Sequence, residues 1–172
     1  TGSYNIAVCE FALDVNTTAN YNTAVGYQAS VNGTTGDRNT ALGAYTLSSN
    51  TTGGRNVAVG YAALYQYNVT DSGADYNVAI GYNALGVTTT GAGNTAVGYS
   101  ALDVNQTGNT NTAIGNHALG ANTGGDNTAV GAECFETNTS ATGLAGLGYK
   151  AGELSTGSQN TMLGSQAGRY VS

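Results

Sequence analysis

The chain has 172 residues, with 27 glycines, no proline or tryptophan and only 8% charged residues. Disorder usually combines high charge with low hydrophobicity, whereas 40% of this chain is apolar and its formal net charge is −6, from ten acids and four bases. No basic patch suits nucleic acid, and no apolar run approaches the ~20 residues of a membrane-spanning helix. The sequence shows no secretion signal and starts at Thr1, so it reads as a processed product or an excised segment.

Along the chain one motif recurs, Asn-Thr-Ala-Val-Gly and its variants. It starts at Asn5, Asn22, Asn39, Asn56, Asn77, Asn94, Asn111, Asn127, Leu144 and Asn160, so residues 1–172 read as one repeat domain of ten units. The spacing is 16 or 17 residues except for one unit of 21. Numbering each unit from its first residue, position four is always aliphatic (Val8, Val25, Leu42, Val59, Ile80, Val97, Ile114, Val130, Leu147, Leu163). Position five is Gly in every unit but the first, which has Cys9. Positions three and eight are mostly Ala.

The second half of the unit is a turn-rich Asn-Thr-Thr-Gly signature, as in Asn50-Thr51-Thr52-Gly53 and Asn105-Gln106-Thr107-Gly108. β-Branched residues and Gly every few positions argue against a helix. Seventeen residues suit one coil of an all-β, parallel β-solenoid, with two short strands and two turns. Period-two alternation separates the side chains of positions two and four from those of three and five. The aliphatic set is expected to face inward, with the Ala and Leu of positions eight and nine. The Ala/Gly set is expected to face outward, smooth enough for another chain to approach. The leading Asn residues are expected to stack as an amide ladder. Such a core is thin, which points to oligomerisation.

The motifs Asn56-Val57-Ala58-Val59-Gly60 and Asn77-Val78-Ala79-Ile80-Gly81 resemble the head repeats of trimeric autotransporter adhesins. The fuller unit, closed by Asn-Thr-Thr-Gly, is similar to repeats of phage tail-fibre proteins. The resemblance implies a left-handed β-roll, three chains around one axis, and a place outside the cell, on its surface or on a virion. The unit here is longer than the usual adhesin-head repeat and richer in Thr.

Catalysis finds little support. His117, the single histidine, occupies variable position seven, where other units carry Gln28, Asn83, Ser100, Glu133 and Lys150. One His and two Cys do not assemble a zinc set, no phosphate loop is present, and no cofactor is implied. Cys9 and Cys134 lie seven coils apart, ~34 Å at ~4.8 Å per coil, too far to pair within one chain. The tyrosines offer more. Tyr27, Tyr61, Tyr82, Tyr99 and Tyr149 fall at position six, and Tyr4, Tyr21 and Tyr76 precede the anchor Asn. They read as stacked aromatics bracing a corner or, with Tyr65 and Tyr67, as a strip for sugar rings. The four extra residues of the 21-residue unit are expected to leave the coil as a loop within 65–75, a natural place for binding. Six Asn-x-Ser/Thr sequences, at Asn16, Asn32, Asn50, Asn68, Asn105 and Asn138, arise mostly from the turn signature.

These features favour a structural or adhesive, non-enzymatic segment of an extracellular fibre. Its expected partner is itself, as a homotrimer or an end-to-end filament, with a host-surface glycan or receptor as a further one. Two alternatives compete. An ice-binding solenoid needs an outward Thr array, which the inward placement of position two disfavours. A glycan-cleaving tailspike needs paired carboxylates, and the acids share no obvious column.

Overall fold

The structure is a computed structural model describing residues 2–69 and 75–170. It is a parallel β-solenoid whose stacked coils follow the repeat. Each coil contributes one three-residue strand: β1 (Ile6–Val8), β2 (Thr23–Val25), β3 (Thr40–Leu42), β4 (Val57–Val59), β5 (Val78–Ile80), β6 (Thr95–Val97), β7 (Thr112–Ile114), β8 (Thr128–Val130), β9 (Ala145–Leu147) and β10 (Thr161–Leu163). They form one ten-stranded sheet in sequence order. Every register is in phase, so Thr23 faces Thr40, Ala24 faces Ala41 and Val25 faces Leu42.

The faces are reversed from the sequence expectation. Position three points inward: Ala24, Ala58, Ala79, Ala96, Ala113 and Ala129 are all 0% exposed. Position four points outward, with Val8, Leu42, Ile80, Ile114 and Leu147 between 39 and 52% exposed. A coil this narrow has no room for two branched side chains per strand beside the leucines of position nine. Leu47, Leu64, Leu85, Leu102 and Leu119 fill the interior completely, and only a methyl fits opposite them. The Gly column is not a free surface either. A Cβ added at Gly43, Gly60, Gly81 or Gly98 would lie 2.3–2.6 Å from the backbone of the Gly one coil on. Only Gly fits at these four positions; the column's glycines hold φ 117–140°, and the first coil accommodates Cys9 at φ 89°.

The expected second strand is also replaced. Positions seven and nine adopt left-handed φ, as at Tyr45 (60°), Leu47 (49°), Asn83 (55°) and Leu85 (52°). Left-handed backbone at a leucine costs about 1 kcal/mol or more. The geometry persists because it alternates the direction of the amides. Tyr45 N–H reaches back to the Tyr27 carbonyl, whereas Leu47 N–H reaches forward to Ala63 and Ser49 N–H to Tyr65. The non-strand half of each coil is therefore hydrogen-bonded to both neighbours without being extended.

The Asn column closes each coil. Asn22, Asn39, Asn77, Asn94, Asn111 and Asn127 donate Nδ2–H to a carbonyl near the end of their own coil at 2.8–2.9 Å. Their Oδ1 atoms accept the backbone N–H of the first residue of the next coil at 2.7–3.0 Å. The ladder is thus mainly amide to backbone. Direct amide-to-amide contacts occur at Asn56–Asn39 and Asn111–Asn94.

Candidate functional site

A second buried polar column runs beside the first, at position twelve. Asn50 and Asn105 each accept from and donate to the Gly three residues on, at 2.9 Å. Asn138 accepts from Ala141 and donates to the Ser155 carbonyl. These residues head three of the six Asn-x-Ser/Thr sequences, and all three are buried. Their amides are structural and closed to a modifying enzyme. Asn32 and Asn68 are exposed. The turn signature was visible in sequence, but turn propensity carries no information about burial.

The aromatic row is real and longer than position six alone. In coil three Ala44 takes position six and Tyr45 at position seven fills the gap. Ring contacts run unbroken through Phe11, Tyr27, Tyr45, Tyr61, Tyr82, Tyr99 and His117, with centroids 5.3–6.0 Å apart. Tyr61, Tyr82 and Tyr99 stack face to face, with planes only 10–11° apart. Their faces are spent on one another. At Tyr45 the row breaks step, its ring lying 74° from Tyr61 and 82° from Tyr65. A cleft of about 410 Å³ opens there, lined by Tyr45, Tyr61, Ala62, Tyr65 and Asn83. The sequence singles out Tyr61 and Tyr65 but not Tyr45, Ala62 or Asn83; the signals available were Ala44 in place of the position-six Tyr of the neighbouring coils and the small Ala62 at position seven. His117 packs its ring edgewise on Tyr99.

Tyr67 does not belong to this surface. It sits at position twelve of coil four, 0% exposed, its ring beside Gly53, with Asp75 also buried near that glycine. Burial above all, then the Asp75 charge, holds the Tyr67 phenol well above its usual range. Burial also raises the Asp75 carboxyl above its ordinary value, although Asp75 accepts the Gly54 N–H at 2.9 Å. The segment expected as a free loop is thus packed at both ends. Tyr67 and Val69 are buried, and Gln66 and Asn68 hydrogen-bond to the next coil. The central part of that expectation, residues 70–74, lies outside the described residues.

Contrary to the sequence reading, three acids do meet. Carboxylate oxygens of Glu133, Glu136 and Glu153 lie within 4.8 Å of one another. Lys150 Nζ bridges Glu133 at 2.7 Å and Glu153 at 3.0 Å, and Arg169 binds Glu153 from the coil above. Hydrogen bonding from Lys150 first of all, with Arg169 adding to it, lowers the Glu153 carboxyl. Burial and then the Glu133 charge raise that of Glu136. With two cations already seated, the cluster acts as a staple across coils eight to ten. Cys9 and Cys134 are both free, and burial pushes the Cys134 thiol up to about 11, far from a reactive thiolate.

Among the described residues no helix is long and apolar enough to cross a membrane. No protein-family profile matches the chain, and no match was found among curated proteins or solved structures.

Proposed function

We propose that this chain is a structural and adhesive segment of an extracellular fibre, assembled as a homotrimer through the outer face of its sheet. The supporting observation is the apolar stripe that the ten in-register strands leave uncovered. Ile6, Val8, Leu42, Ile80, Ile114, Leu147 and Leu163 are 39–74% exposed along one face of the sheet. Soluble monomers rarely expose contiguous apolar patches beyond a few hundred Å². Ten rows, in which position two is Thr or Val except at Ile6 and Ala145 and position four is Val, Ile or Leu, make a longer one. At coil nine, Ala145 replaces the usual Thr or Val and leaves an apolar hollow of about 320 Å³ between Thr128 and Thr161, suited to a partner side chain. Three copies around one axis cover every such face in a closed, symmetric assembly. The deciding experiment is mass measurement at nanomolar concentration. A trimer is expected to persist, and a stable folded monomer sinks the proposal.

One observation favours a second reading. The reversed faces turn the position-two side chains of Thr23, Thr40, Thr95, Thr112 and Thr128 outward in register, which is the kind of array an ice-binding surface needs. Thermal hysteresis by the dilute monomer supports that reading. A trimer hides the array and is expected to show none.

A further inference from the structure

We infer that the cleft over Ala62 is a binding site for one neutral pyranose unit of a surface polysaccharide. The aromatic row as a whole is not that site. Where Tyr61, Tyr82 and Tyr99 stack, only ring edges and hydroxyls meet solvent, and a sugar ring has no open face to lie against. The cleft differs for a reason visible column by column. Position seven carries a long side chain in most coils, including Gln28 and Tyr45 below and Asn83 above, but in coil four it is Ala62. The missing side chain makes a floor. Tyr65, at position ten of the same coil, raises a wall where the adjacent coils have Ser48 and Gly86.

Three rings now meet at steep angles, with centroids 5.6 Å (Tyr45–Tyr61) and 6.4 Å (Tyr45–Tyr65) apart. They cannot all present faces to one another, so the cleft has both ring faces and ring edges in its walls. Its volume, about 410 Å³, falls in the range of small-ligand sites. Phenol hydroxyls and the half-exposed Asn83 amide supply donors and acceptors at the rim, matching the equatorial hydroxyls of a pyranose above its apolar C–H face. No charged side chain lines the cleft, which selects a neutral sugar over a sialylated or sulfated one. Tyrosine brings this amphipathic contact with little side-chain entropy to lose. The cleft is open at the surface, so the glycan chain can continue past the bound unit.

The inference rests on the fibre reading only for the origin of its ligand. Saturation-transfer NMR against a panel of methyl pyranosides, followed by an array of neutral and anionic oligosaccharides, tests it on the full chain. Binding by a neutral sugar is expected. Ala62→Gln copies the residue that coil two already holds at the same backbone φ (53° at Gln28, 55° at Ala62), so it fills the cleft without disturbing the coil. It should lower affinity at least tenfold, as should Tyr65→Ala, whereas Tyr99→Phe in the stacked stretch should leave affinity unchanged. Absence of transfer to every neutral sugar, equal binding by Ala62→Gln, or preference for anionic glycans overturns the proposal. Oligomeric mass is measured on the same samples. A trimer that binds no sugar defeats the cleft alone, and a sugar-binding monomer defeats the assembly alone.

Discussion

Coils three to seven and coils eight to ten share one backbone path and differ in what fills it. In the middle coils the interior is uniform: Ala at position three, Ala or Thr at eight, Leu at nine, Asn at one. Towards the C-terminus each of these is exchanged. Coil eight has Cys134 and Phe135 at positions eight and nine, and coil nine answers with Gly146 and Gly152 at three and nine. A Cβ at Gly146 would meet the Phe135 ring and Cys134 Sγ at 2.5 Å, and one at Gly152 would meet the ring at 2.2 Å. In coil ten Met162 at position three lies over Gly168 at position nine in the same way. What the solenoid conserves is therefore interior volume per stretch of coils, while residue identity is free to move across the coil boundary.

The largest expected effect tests which face is interior. Ala96→Asp places a carboxylate in a fully enclosed stack and should cost several kcal/mol, enough to unfold the middle coils. Val97→Asp, one residue along, faces outward and should leave a folded monomer while abolishing the trimer. Chemical denaturation and mass measurement separate the two. Unfolding by Val97→Asp with Ala96→Asp tolerated would restore the opposite assignment.

That reversal shows what the repeat made legible. Periodicity, the first strand of each unit, parallel register and a stacked Asn column followed from ten aligned copies, although the Asn amides bond chiefly to backbone and the second strand is absent. The alternation of faces followed too, but its sign did not. Hydrophobicity alone ranks Val97 above Ala96 as the core residue, whereas interior width decides the matter, and width depends on the leucines across the coil. The left-handed residues at positions seven and nine were illegible for a related reason. Tyr45, Leu47 and Leu85 have no intrinsic preference for positive φ, and coil-to-coil hydrogen bonds impose it. The aromatic cleft was half legible: Tyr61 and Tyr65 stood out by type, whereas Ala62 matters by being small.

The Asn column should separate the two regions next. Asn94→Leu removes the acceptor for Asn111 N–H and the donor to the Gly108 carbonyl, costing about 1–3 kcal/mol for each group left unmet. Coil nine already carries Leu144 at that position, buried at 2% exposure. Leu144→Asn should therefore be close to neutral. Clear stabilisation by Leu144→Asn, read from denaturation midpoints, would show that the C-terminal coils follow the same rule as the middle ones.

Volume exchange predicts a coupling. Gly152→Leu restores the usual residue but drives it into Phe135, an overpacking worth about 1–3 kcal/mol. The φ of 60° at Gly152 adds a strain of about 1 kcal/mol or more for leucine, which the column's other leucines, near 50°, also bear. Phe135→Leu alone leaves a void. Combined, the two should recover most of the loss, and a double-mutant cycle without coupling would break the argument.

The smallest effect concerns the inserted coil, where the interior holds an acid. Burial raises the Asp75 carboxyl above its ordinary value of 3.8, with contributions from Tyr67, Gly54, Asn56 and Arg55 only partly opposing it. For a carboxyl raised on folding, the protonated form is the one the fold prefers. Its contribution is therefore fully present below about pH 3.8 and is lost as pH rises through the folded value. Asp75→Asn keeps an oxygen to accept the Gly54 N–H and removes the charge. Relative to the wild type, the variant should gain stability as pH increases from about 3.8 towards neutrality, by less than any change above, and the two curves should then run parallel. Denaturation midpoints taken across that range provide the measurement. A wild type that instead gains on the variant with rising pH would mean that the Arg55 charge outweighs burial, and coil four would then be an ion-paired coil instead of one that tolerates a buried acid.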